Sequence, residues 1–192
     1  MILHYAGKYN GDESSLPQRE HPAGAVPFKE PEDMQKLSLI ANGGCMAVII
    51  LMAVPFIILG RHYFAQNAVG MIIAGILSLI LLIPHELLHA VCYRKEVYLY
   101  NALESGMLFV AGTEDMSKAR FIFMSLCPNL ILGILPYIIF LADPRFVPLG
   151  LLGLICTGMG FGDYINVYHA FTQMPKGAVT YLSGMHSFWY MP

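Results

Sequence analysis

Three residues with chemical potential stand close together in the run Ile83-Pro84-His85-Glu86-Leu87-Leu88-His89-Ala90. On a helix, His85 and His89 lie about 40° apart around the axis and share a face. Their imidazoles can hold one metal ion there. Glu86 is about 60° round from His89, close enough to act on a water at the ion without being a ligand. Zinc hydrolysis needs this set: neutral imidazoles for the ion, an open position for water, and a carboxylate that takes the water's proton. With 7 His and 8 Glu in 192 residues, random placement yields His-Glu-x-x-His in about 1% of such chains. Location strengthens the signal. The run lies inside an apolar segment, where each ionisable side chain costs a few kcal/mol on insertion scales. The bland alternative is a solvated histidine pair at the end of a membrane span.

The elements that must position these residues are apolar. Hydrophobic residues make up 56% and charged residues 12%, and the mean hydropathy is +0.57. That is about half the charge of a soluble domain and indicates an integral membrane protein of one domain. The net charge of −2 and the lack of a basic run argue against a nucleic-acid partner. Cys45, Cys92, Cys127 and Cys156 are scattered through apolar segments and read as small buried residues.

Residues 1–36 read as a polar arm broken by Pro17, Pro22, Pro27 and Pro31, with no signal-peptide core and a short strand near Ile2–Tyr5. Four spans follow, at about 37–59, 67–93, 121–142 and 146–171, each long enough for a bilayer core of about 20 residues. Pro55 should kink the first near its end. Pro84 should kink the second just before the histidines, either as an ordinary kink or to open room beside His85. In the second span Gly70, Gly75 and Ser78 offer a small face, and in the fourth Gly158-x-x-x-Gly162 does the same. The closely spaced glycines weaken the fourth helix immediately before Asp163. Between spans two and three, Glu96–Tyr100 and Met107–Val110 are strand-like, with a turn at Ala102–Gly106. The tail, residues 172–192, is aromatic and suits a membrane interface. The fold class expected is therefore mainly α: a polytopic membrane protein with four transmembrane helices and a small β-hairpin between helices 2 and 3. Its organisation is a polar arm (1–36), a four-span domain (37–171) and a short tail (172–192).

Basic residues orient the spans. Nine of the 11 fall in the arm, the 94–120 connection and the tail; Arg61 and Arg145 fall in the other two loops. Both termini are expected in the cytoplasm of a multi-pass cell-membrane protein. His89 then lies about 7–8 Å from the cytoplasmic end of its span, and Asp163 sits in the same leaflet on the fourth. A buried carboxylate there needs a partner, which a cation held by His85 and His89 would supply.

His85-Glu86-x-x-His89, the strand pair, Cys127-Pro128-Asn129 and Gly162-Asp163 together resemble a family of integral-membrane zincin peptidases. More distantly they resemble the site-2 proteases, which cut peptide bonds within membranes. The likeness covers about residues 67–170. It implies a Zn2+ cofactor, His85, His89 and Asp163 as metal ligands, and Glu86 as general base. It also implies a peptide or membrane-protein substrate seated on a strand edge. Asn129 stands near a Pro-x-x-Asn motif of the site-2 proteases with different spacing, and Gly162-Asp163-Tyr164 departs from their usual Leu-Asp-Gly. His169, six residues beyond Asp163 and about 240° round the helix, cannot share its face and is expected to be solvated near the cytoplasmic exit. The competing readings are a metal-binding or transport membrane protein and a catalytically inactive regulatory relative. Transport would need a polar path across the membrane, whereas the ionisable span residues cluster in one leaflet. The intact motif argues against the inactive relative.

Overall fold

The computed structural model describes residues 1–30, 34–102 and 107–192. It is mainly helical with two small sheets. The chain divides into two compact units. One comprises Met1–Glu30, Glu86–Ser125 and Ile165–Pro192; the other comprises Pro31–His85 and Leu126–Tyr164.

The second unit is a helical packing around α6 (Val147–Met159), with α1 (Met34–Gly60), α2 (Ala68–Ile80) and α5 (Leu135–Ala142) against it. Glycine lets these backbones approach. A Cβ at Gly153 would lie 2.6 Å from the Gly133 carbonyl, and one at Gly158 would lie 2.5 Å from Ile49 Cγ1 on α1. Gly75 and Gly162 would meet nothing within 4 Å, so neither of those expected small faces is used throughout. Phe56, Tyr137, Phe140, Val147 and Leu154 form the main core here.

Among the described residues, two helices are long and apolar enough to cross a membrane, Leu39–Gly60 and Lys118–Ala142, or up to four if each of two bent pairs is one span. Ile50, Leu51, Val54, Ile57 and Ile58 of α1 are exposed, as are Val69, Ile72, Ile73 and Ile76 of α2. Apolar faces of this extent suit lipid rather than water. The α1 helix continues through Pro55.

The bends in the two pairs have identifiable causes. The α2 helix stops at Ile80 and α3 (Leu82–Val91) leaves at 46°. Pro84 has no N–H to give Ile80, four residues back, and its ring crowds that carbonyl. Helical bonding resumes with the His85 N–H donating to Leu81, 2.9 Å. Likewise α6 ends at Met159, and α7 (Phe161–Gln173) leaves at 51°. The break at Gly160 follows the glycine-rich run.

The first unit holds both sheets. The arm contributes β1 (Ile2–Lys8), longer than the short strand expected near Ile2–Tyr5, which pairs in parallel with β3 (Glu96–Ala102); a bulge between Tyr5 and Gly7 uses the positive φ of Gly7, 86°. Antiparallel to β3 runs β4 (Met107–Ala111), while residues 103–106, where the turn was expected, lie outside the described residues. The second sheet orders β2 (Val26–Pro27), β7 (His186–Tyr190), β6 (Val179–Ser183) and β5 (Met116–Ser117). The tail is thus a hairpin. Its two-residue turn starts at Gly184, φ 64°, the position where a type II′ turn requires glycine. Phe28, Tyr93, Val97, Phe121, Met124, Ala170 and Met174 pack the core of this unit, drawing on α3, α7 and α4 (Lys118–Pro128).

Candidate metal centre

The α3 helix starts only three residues before His85, so the bend at Leu81 sets where its histidines point. One turn of α3 brings His85, Glu86 and His89 together, with one ligand atom from each within 4.8 Å of the others. Among the described residues this is the group able to hold a metal ion.

His89 is buried, and its Nδ1 lies 2.9 Å from the carbonyl oxygen of Met124. A carbonyl can only accept, so Nδ1 carries a proton, and in the neutral imidazole Nε2 is the nitrogen with the lone pair. The acceptor is available for a reason written in the chain. Met124 C=O would normally take the N–H four residues on, but residue 128 is proline and has none. Pro128 thereby frees the carbonyl that sets the tautomer of His89, as metal-binding histidines commonly require.

His85 Nε2 lies 3.1 Å from Asp163 Oδ2, and both side chains are 14% exposed. The same carboxylate oxygen accepts from Asn129 Nδ2 at 2.7 Å. Asn129 is 1% exposed and opens a six-residue π-helix, Asn129–Ile134, directly after Pro128. Such π segments concentrate at functional positions. The approach of Asn129 depends on Gly160: a Cβ there would stand 1.6 Å from Asn129 Oδ1.

His169 has different surroundings. It is 7% exposed rather than solvated, with Nδ1 3.9 Å from Glu30 Oε1 and its ring 6.1 Å from Phe28. Aromatic and carboxylate neighbours from the arm cover it, which the polar composition of the arm did not reveal. Glu30, largely buried, has its carboxyl pushed above the ordinary range by desolvation.

The site also has supports that the linear reading missed. Arg120, on α4, donates to the Cys92 carbonyl at the end of α3 and to Glu114. Glu114 in turn accepts the N–H groups of Arg94 and Lys95. Burial alone would raise the Glu114 carboxyl; the Arg120 guanidinium and the two backbone donors outweigh that and hold it low. Only the Pro128 offset from Met124 could have been noticed in the linear chain. The ion pair leaves no periodic trace.

His85, Glu86 and His89 each offer an atom of a type that zinc accepts, and Asp163 stands outside that group of three, in contact with it through His85. With Zn–N and Zn–O bonds of about 2.0–2.2 Å, neighbouring tetrahedral ligands stand about 3.3–3.6 Å apart. The 3.1 Å between His85 Nε2 and Asp163 Oδ2 is within a few tenths of that. Imidazole with carboxylate is a common donor combination for catalytic zinc. A family model described as putative zincin peptidase matches residues 78–179. The chain belongs to that family. No curated relative and no solved structure matches it. For this zincin-family chain the match takes in α3, α4, α5, α6 and α7, and with them every residue of the site.

Proposed function

We propose that the chain is a membrane-embedded zinc metalloendopeptidase, distantly akin to the site-2 proteases, that hydrolyses peptide bonds in a peptide or membrane-protein substrate. The observation that carries this is the meeting of His85 with Asp163, 78 residues apart in sequence, at 3.1 Å. They join on α3, where Glu86 and His89 stand with His85 in one group of close ligand atoms. His85, His89 and Asp163 hold one Zn2+ ion. Bound zinc supplies a Lewis acid that polarises the scissile carbonyl and makes its water more acidic.

The chain's own groups do the rest. His89 offers Nε2 because Met124 holds its Nδ1 proton. Asn129 fixes one oxygen of Asp163, which limits rotation of that carboxylate. Glu86 takes the proton of the attacking water and passes it to the leaving amine, a contribution worth about 10²–10⁴ in rate. The two bent helix pairs and the two long apolar helices together make four spans, with both termini in the cytoplasm. Water enters from that side. The bilayer is a permanent partner, and a nucleic acid is not.

The test uses purified protein in detergent with fluorescein-labelled casein, an unfolded substrate that needs no prior opening. Glu86→Gln should keep zinc while cleavage drops by at least a hundredfold. Cleavage by Glu86→Gln at the wild-type rate would overturn the role given to Glu86.

A further inference from the structure

The exit from α3 carries more polar bonding than a helix end needs. Arg120 Nε and Nη2 both donate to the Cys92 carbonyl, at 3.0 and 2.6 Å, and its Nη1 donates to Glu114 Oε1 at 2.6 Å. The other oxygen of Glu114 accepts Arg94 N–H at 2.6 Å and Lys95 N–H at 2.8 Å. One ion pair therefore takes a carbonyl and two amides from the four residues Cys92–Lys95, which begin three residues after His89. Its side chains are 18% and 5% exposed for Arg120 and Glu114.

Stability alone does not account for such a pair. Desolvating two charges costs several kcal/mol each, and apolar replacements of similar volume are often neutral or stabilising. Fixing one register among alternatives is the best-attested use of a buried pair. Here the register is visible. On α4, Arg120 and Met124 are one turn apart and share a face. Cys92, the residue directly after α3, is three residues beyond His89. Met124 meets His89 and Arg120 meets Cys92, so α3 is gripped at two heights by one face of α4. Sliding or rotating α3 breaks both grips together. The sensitivity is high: rotating a helix by 10° carries an atom 5–6 Å from its axis by about 1 Å, several times the ±0.2 Å tolerance of a zinc bond.

We infer that the Glu114–Arg120 pair is a positioning device for His89, setting the height and azimuth at which its imidazole reaches the metal. This deepens the function proposed above and rests on the zinc role of His89. Arg120 suits the task because its planar fork serves Cys92 and Glu114 at once, which the single ammonium of lysine cannot reproduce. Its charge also sits at the negative end of the α3 dipole.

The test measures metal binding rather than turnover. Zinc affinity of the full chain in detergent is read by competition with a chromophoric chelator, alongside the visible absorption of the Co2+-loaded protein. Thermal unfolding of the metal-free protein serves as the control for folding. Arg120→Lys and Glu114→Gln should each lower zinc affinity by about 10- to 100-fold, the usual range for partners that orient a ligand. Each should also change the cobalt spectrum while the metal-free protein still unfolds cooperatively. Glu114→Gln is nearly isosteric and keeps Arg120, so it decides the matter if Arg120→Lys does not fold. Folded variants with wild-type affinity and spectrum would overturn the inference. Failure of the underlying zinc assignment looks different: wild type would then bind no more zinc than His85→Ala/His89→Ala, and the inference would fall with it.

Discussion

Gly160→Ala is a sharp perturbation of the site by a single methyl group. Gly160 has φ −79° and ψ 16°, which alanine adopts without strain, so the backbone does not resist the change. The added Cβ would stand 1.6 Å from Asn129 Oδ1, 2.4 Å from its Cγ and 2.6 Å from its Nδ2. Ordinary contact needs about 3.5 Å, so the Asn129 amide must retreat by about 2 Å. At 1% exposure it has little room to do so. A shift of that size breaks its 2.7 Å bond to Asp163. Hydrogen bonds to charged groups are worth about 1.5–3 kcal/mol, and overpacking adds about 1–3 kcal/mol to the loss of stability. Zinc affinity should fall by about 10- to 100-fold. A double-mutant cycle read by chelator competition identifies the cause. Asn129→Ala alone should lose about as much affinity as Gly160→Ala, and the double variant no more than Asn129→Ala. Wild-type affinity in Gly160→Ala, or losses that add in the double variant, would refute the reasoning.

Three further outcomes are expected. Asp163→Ala should weaken zinc binding strongly and His169→Ala should not, because His169 faces Glu30 and Phe28; a zinc titration of both variants checks this. Glu114, held below its ordinary value of 4.5, contributes stability that is fully present above pH 4.5 and is lost as pH falls through its lowered native value. The gap in melting temperature between wild type and Glu114→Gln should therefore be widest near neutrality and shrink in acid, as a pH series of thermal melts would show. On a cysteine-free background, a cysteine at Ser14 should react with impermeant reagent only after cells are opened, and one at Arg145 in intact cells; the opposite labelling would reverse the proposed topology.

The chemical residues were legible because their constraints are local or energetic. His85, Glu86 and His89 follow from helical spacing. Asp163 stood out because a carboxylate in an apolar segment demands a partner. Pro84 and the glycines before Asp163 marked weak points, and the bends lie at those points. What was missed depends on partners distant in sequence. A strand near Ile2–Tyr5 was legible, but its partner lies about 94 residues away in β3, so nothing local signals the parallel pairing. The tail did carry a hairpin signature, β-branched and aromatic runs around Gly184. The same aromatics also suit a membrane interface, and that reading obscured the strands. Asn129 lies 34 residues from Asp163, so no local spacing signals the hydrogen bond between them. Glu114 and Arg120 belong to a connection and a helix start, where charges are ordinary. Only the fold shows that they converge on Cys92–Lys95.

The central claim is that one turn of α3, with Asp163, holds a zinc ion. Its most direct test is zinc content per chain, by elemental mass spectrometry on protein purified in detergent. The expected result is one zinc per wild-type chain and essentially none in His85→Ala/His89→Ala. Equal zinc in the two proteins would contradict it.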